Sequence, residues 1–160
     1  MKIIINICVI ALMVSLTSAC KTTGMTSSLT PLEIQSLQTR EYESTKKIVF
    51  PSVISVFQDL GYTIENADIE TGLIKSMSAT KNNGFLTFMT GATENTQTVA
   101  NAFIEEIGGI VRVRLTFVTR TRSSSAYGAQ DQSDHQILDA KPYQNAFERI
   151  ENAMFIRSAD

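Results

Sequence analysis

The chain has 160 residues, 43% hydrophobic and 19% charged, with 14 basic and 16 acidic side chains and a formal net charge of −2. That composition belongs to a globular protein, and the slight acidic excess excludes the basic footprint of a non-specific nucleic-acid binder. No segment repeats with a period of about 20–50 residues, which excludes a solenoid or propeller.

Met1-Lys2 opens the chain with one positive charge, and Ile3 to Leu16 form an apolar run broken only by Asn6 and Ser15. A positive start, a short apolar core and the small residues Thr17, Ser18 and Ala19 make the pattern of a secretory signal over residues 1–19. A transmembrane helix needs about 20 apolar residues; this run is shorter, and the polar "CKTTGMTSS" follows it directly. The stretch Leu16-Thr17-Ser18-Ala19-Cys20 resembles the lipobox of bacterial lipoproteins, with Thr17 a mild departure from the usual leucine. The resemblance implies cleavage before Cys20 and acylation of its thiol and new amine, which would be a lasting membrane anchor because it carries more than one chain. Lys21 in the next position fits sorting to the outer membrane, facing the periplasm. Cys8 would leave with the signal, so the mature chain would hold neither a free thiol nor a disulfide.

Removal of residues 1–19 leaves 13 basic and 16 acidic side chains. Residues 20–31 are polar and aperiodic and read as the lipidated cysteine with a flexible tether. Residues 32–160 suffice for one domain with a single core. Ser36–Ser44 alternates and predicts a first strand. Val49, Phe50, Val53, Ile54, Phe57 and Leu60 then fall at helical spacing. Pro51 predicts either a kink or a helix that begins near Phe50 and ends at Leu60. Tyr62–Asp68 and Leu73–Lys81 predict a hairpin, with Gly72 in its turn.

Gly108-Gly109 signals a second hairpin. In its second arm Val111, Val113, Leu115 and Phe117 share one face, and Arg112, Arg114, Thr116, Val118, Arg120 and Arg122 the other. The first arm, with Val99, Phe103 and Ile107, also fits a helix, but the hairpin turn favours a strand. Ser123–Gln136 reads as a polar loop. Tyr143, Phe147, Ile150 and Met154 predict a closing helix over Asp139–Ile156, with Asp139 as N-cap. The expected fold is α+β: an antiparallel sheet of about four to five strands in the order β-α-β-β-β-β-α, with both helices on one face. Val53, Phe57, Val113, Leu115, Phe117, Phe147 and Ile150 should then be deeply buried.

The blocks "LQTREYES", "VFQDLGYTIENAD", "TGLIKSMSATK" and "YQNAFERIENAMFI" resemble a family of small proteobacterial outer-membrane lipoproteins over most of Leu37 to Ile156. Phe57, Tyr62 and Pro51 depart from that family's usual residues. More loosely, "VFQDLGYTIENADIETGLI" is similar to the BamC-type lipoprotein domains of the outer-membrane β-barrel assembly machine. This second likeness implies a helix lying on an antiparallel sheet. Neither family supplies catalytic residues.

Enzymatic chemistry needs matched groups held close together. His135 is the sole histidine and sits in a polar stretch, and Asp131-Gln132-Ser133-Asp134 lacks the terminal glutamate of a twelve-residue calcium loop. The glycines do not make a phosphate loop. The chain is therefore expected to be non-enzymatic, without cofactor or metal. Two surfaces are candidates for contact. Arg112, Arg114, Arg120 and Arg122 could grip an acidic partner, lipid phosphates or anionic cell-wall chains, or simply pair with Glu65, Glu70, Glu105 or Glu106 on neighbouring strands. Phe85, Leu86, Phe88 and Met89 either extend a core strand or form an exposed patch between Gly84 and Gly91. The expected function is protein contact with an envelope partner, with a binding module for a lipid or cell-wall ligand as the alternative.

Overall fold

The computed structural model describes residues 29–82, 84–125 and 128–159, and the side chains at positions 84–86 lie outside that description. Cys20, the signal segment and most of the tether lie outside the described residues.

Helix α1 spans Pro31–Gln38. Thr30 and Glu33 close a capping box: the Thr30 Oγ1 accepts the Glu33 N–H, and the Glu33 carboxylate accepts the Thr30 N–H at 2.7 Å. Pro31 occupies the first turn, where its missing N–H costs nothing. The strand expected over Ser36–Ser44 is thus shorter, β1 at Thr39–Tyr42. Pro31, read from the sequence as the last residue of a tether, is the first residue of this helix.

Helix α2 spans Lys46–Asp59 and runs through Pro51 rather than starting at Phe50. The proline removes only the N–H that would have met the carbonyl of exposed Lys47, and water can take that place. The helix start is held from outside, where Glu106 accepts the Lys46 N–H at 3.0 Å, a carboxylate placed at the positive end of the helix. Hairpin β2 (Tyr62–Asp68) and β3 (Leu73–Ser78) pairs as expected, with a bulge between Ile64 and Asn66. Gly72 makes its turn possible: its φ is +77°, and a Cβ there would overlap the Ile104 carbonyl.

The chain continues through β4 (Lys81–Asn82) and a short helix, α3 (Gly84–Thr90), into β5 (Thr93–Ile107) and β6 (Ile110–Ser124). Gly108 and Gly109 join these last two at φ +63° and +85°, the two-residue turn that the sequence predicts. The expected loop 123–136 instead contains β7 (Gln130–Gln136). Helix α4 (Ala140–Ser158) closes the domain, and Asp139 accepts the Lys141 N–H as its N-cap.

All pairings are antiparallel, in the order β1-β6-β5-β3-β2, with β4 also on β5 and β7 also on β6. The described residues therefore hold seven strands and four helices, where four to five strands and two helices were expected. The long β5–β6 hairpin has two halves. Near the Gly108-Gly109 turn β1 and β3 flank it; further along, β7 and β4 do. Helices α2 and α4 cover one face of the first half. There Val53, Phe57, Val113, Leu115, Phe117, Phe147 and Ile150 are all buried, as the sequence predicts. Phe117 stacks edge-on with Tyr143 at 5.0 Å and with Phe57 at 6.3 Å. The second half, with "TENTQT", "TRTRSS" and "QDQSDHQ", has no buried side chain from Thr93 to Thr98 or from Thr119 to Ser124.

Candidate contact surfaces

Residues directly opposite in an antiparallel ladder share a face. On the face away from α2 and α4, β6 presents Arg112, Arg114, Arg120 and Arg122, beside Glu105, Phe103, Gln97 and Asn95 of β5. The four arginines do not form one free basic row. Arg112 bonds Glu41 at 2.8 Å and Glu105 at 3.2 Å, and these hydrogen bonds hold its pKa above the usual guanidinium range, Glu41 more than Glu105. Arg120 bonds Asp134 at 3.1 Å, which holds that carboxyl below the usual carboxylate range. Arg122 donates to the Gln132 side chain at 3.1 Å. Arg114 is exposed, between Thr39 and Phe103.

Of the four acidic neighbours expected for this row, Glu105 does pair with an arginine. Glu65 pairs with Lys75 at 2.9 Å, Glu106 caps α2, and Glu70 accepts from Lys46 only through its backbone carbonyl. The partners that sequence reasoning missed, Glu41 and Asp134, come from β1 and β7. Asp134 was hidden because its strand read as loop.

α3 carries the apolar candidates. Phe88 is 86% exposed and Met89 64%, so neither belongs to the core. Gly91, at φ +67°, ends the helix and donates its N–H to Thr87 O at 3.0 Å. The placement of the Phe85 and Leu86 side chains lies outside the description. α3 lies against β5, at the end of the sheet remote from the Gly108-Gly109 turn.

Two concave surfaces have an apolar floor, one beside the helices and one on the arginine face. A cavity of about 430 Å³ opens where α2 ends and α4 begins, with Leu60, Tyr62 and Phe117 as its apolar floor and Asp139, Lys141, Asn145 and Arg149 around it. Burial there pushes the Tyr62 phenol up. A second of about 310 Å³ lies on the open sheet face among Leu73, Lys75, Asn101, Phe103, Arg114 and Thr116.

His135 is exposed on β7, opposite Thr119. The stretch Asp131-Gln132-Ser133-Asp134 is not a loop at all. As a strand it sends Asp131 and Ser133 to one face and Gln132 and Asp134 to the other, so the four cannot converge on one cation. Among the described residues no three His, Cys, Asp or Glu side chains are grouped to hold a metal. No described helix is long and apolar enough to cross a membrane. No family model and no curated protein matches the sequence.

Proposed function

We propose that the chain is a non-enzymatic lipoprotein of the cell envelope, tied to the outer membrane through Cys20 and facing the periplasm, that works by protein contact in an envelope assembly. The observation that carries the contact reading is on α3, where Phe88 and Met89 stand in solvent. Large apolar side chains left exposed together mark interaction sites, and phenylalanine and methionine are enriched at interfaces. The short apolar run and small residues before Cys20 support the anchor.

The test combines Phe88→Ser with Met89→Ser in the full chain and places a photo-crosslinking residue at position 88 in the parent. The expected result is one envelope protein both crosslinked at 88 and co-purified from solubilised membranes, with both signals lost in the double variant at an unchanged melting temperature. A double variant that unfolds, or that keeps the same partner, refutes the contact reading. Cys20→Ala should separately release the chain from membranes, and retention of that variant refutes the anchor.

The groove over Leu60, Tyr62 and Phe117 favours a second reading, a binding module for an acidic amphiphile such as a lipid or lipid-linked cell-wall fragment. Its apolar floor suits a ligand with an apolar body, and the two cations Lys141 and Arg149 outnumber the one carboxylate on its lining, Asp139, which suits a single anionic head. Isothermal titration with dodecyl phosphate tests it: saturable binding that Lys141→Glu with Arg149→Glu removes supports this reading, and no binding refutes it.

A further inference from the structure

β7 forms a bare edge of the sheet. Among the described residues it pairs only with β6, without a register shift, and six of its seven residues are exposed. Another edge strand, β2, carries devices that discourage edge-to-edge pairing: a bulge between Ile64 and Asn66, with the Glu65–Lys75 ion pair beside it. β7 has no bulge, no proline and no lysine.

The ladder on the inner side of β7 sets the phase of its outer side. Ile137 donates its N–H to the Phe117 carbonyl at 2.8 Å. Bonded and non-bonded pairs alternate along an antiparallel ladder, so residues 131, 133 and 135 turn their backbone groups toward β6. Gln130, Gln132, Asp134 and Gln136 turn theirs outward. A strand added here must offer its own outward groups opposite these four.

A second β7 centred on Ser133 does so. Gln132 then faces Asp134 of the second copy, Gln130 faces Gln136, Asp131 faces His135, and Ser133 faces its own equivalent. Every bonding pair joins two residues with outward backbone groups. Each carboxylate meets an amide or an imidazole, and no two carboxylates oppose one another. A shift of the centre to Asp134 keeps the phase but sets Asp134 against Asp134, and a shift to Gln132 keeps the phase but pairs only residues 130–134 and gives up the Asp131–His135 contact. The pairing also fits the domain's shape. β7 runs from the bare end of the sheet toward the layer of α2 and α4, so an antiparallel second copy carries its helical layer at the far end.

We propose that two copies of this chain associate through β7, centred on Ser133, to form one continuous antiparallel sheet. The contact is independent of α3 and of the anchor. Its small area makes it a weak, reversible dimer.

Two variants of the full chain in mild detergent test it. Gln132→Pro removes one outward N–H and leaves the backbone bonds to β6 in place, as a proline on an edge strand can; it also gives up the Arg122–Gln132 side-chain bond, so Gln132→Ala, which loses that bond alone, is its control. Sedimentation equilibrium should show a monomer–dimer equilibrium for the parent and for Gln132→Ala, and a dissociation constant at least about tenfold higher for Gln132→Pro than for Gln132→Ala. In Ser133→Cys the two Cα atoms would lie about 4.5 Å apart across the two-fold axis, within disulfide reach. Mild oxidation should therefore link two copies at position 133, which peptide mapping distinguishes from links through Cys8 or Cys20. A parent that remains monomeric, self-association unaltered by Gln132→Pro, or failure of Ser133→Cys to crosslink overturns the proposal.

Discussion

The hydroxyl of Tyr143 is spliced into the ladder between Phe117 and Ile137. Ile137 donates its N–H directly to the Phe117 carbonyl at 2.8 Å, but the reciprocal rung is bridged: the Phe117 N–H donates to Tyr143 Oη at 3.4 Å, and that hydroxyl donates to the Ile137 carbonyl at 2.8 Å. The Gln38 side chain donates to the same oxygen at 3.4 Å. α1, β6, α4 and the residue that follows β7 thus meet at one buried phenol, at the joint between the covered and bare halves of the sheet.

Tyr143→Phe should therefore destabilise the fold by about 1–3 kcal/mol, because it leaves a buried N–H and a carbonyl without their bridge. Urea denaturation measures the loss, and amide exchange at Phe117 should accelerate more than at Val113. A neutral substitution would show that water replaces the phenol.

Tyr42 gives the opposite expectation. Its hydroxyl is buried and has no hydrogen-bond partner, and burial, more than the nearby Glu151, pushes its pKa well above the usual phenol range. Tyr42→Phe discards a group that lost its water without compensation, so stability should hold or rise by about 1 kcal/mol. A loss of stability in thermal denaturation would reveal a partner for this hydroxyl.

Two glycines in positive-φ turns should respond unequally to alanine. Gly61→Ala, at φ +84° with open space around the missing Cβ, should cost only the left-handed backbone penalty of about 1–2 kcal/mol. Gly72→Ala has the same penalty and also drives a methyl into the Ile104 carbonyl, whose own N–H is bound to Gly72 O at 2.9 Å. Its loss of stability should exceed that of Gly61→Ala, and equal losses would mean that the β2–β3 turn does not press on the Ile104 carbonyl.

What was legible in the sequence follows from where burial acts on pattern. Val111 to Phe117 alternate because one face of β6 meets α2 and α4, and Tyr143, Phe147 and Ile150 repeat at helical spacing because α4 lies on that face. β7 was illegible for the same reason: both its faces meet water, so nothing forces its side chains to alternate. The capping box at Thr30 and Glu33 that starts α1 is a sequence signal the reading missed, because residues 20–31 read as tether and Ser36–Ser44 as strand. The arginine row was legible as a face, but its partners were not, since Glu41 and Asp134 reach it only once β1 and β7 are known to share the outer edge of β6.

The polar half of the sheet should loosen in acid, and one carboxylate should lead. β7 contributes no buried side chain, so its attachment to β6 rests on backbone bonds and on the Arg120–Asp134 and Arg122–Gln132 contacts. Hydrogen bonding from Arg120, followed by its charge and that of Arg122, lowers the Asp134 pKa in the folded chain. A folded pKa below the unfolded one means that the contribution is complete above the unfolded carboxylate range, near pH 4, and is lost as pH falls through the lowered folded value. Amide protection at Thr121 and Ser133, read by hydrogen exchange after normalisation for intrinsic rates, should hold from neutrality to about pH 5 and decline below pH 4, while protection at Val113 in the covered half stays high. Asp134→Asn cannot carry the charge, so its protection at Thr121 should begin lower at neutral pH and show a flatter decline. An equally steep decline in that variant would assign the acid sensitivity to another carboxylate. A simultaneous loss at Val113 would show that the two halves of the sheet unfold as one.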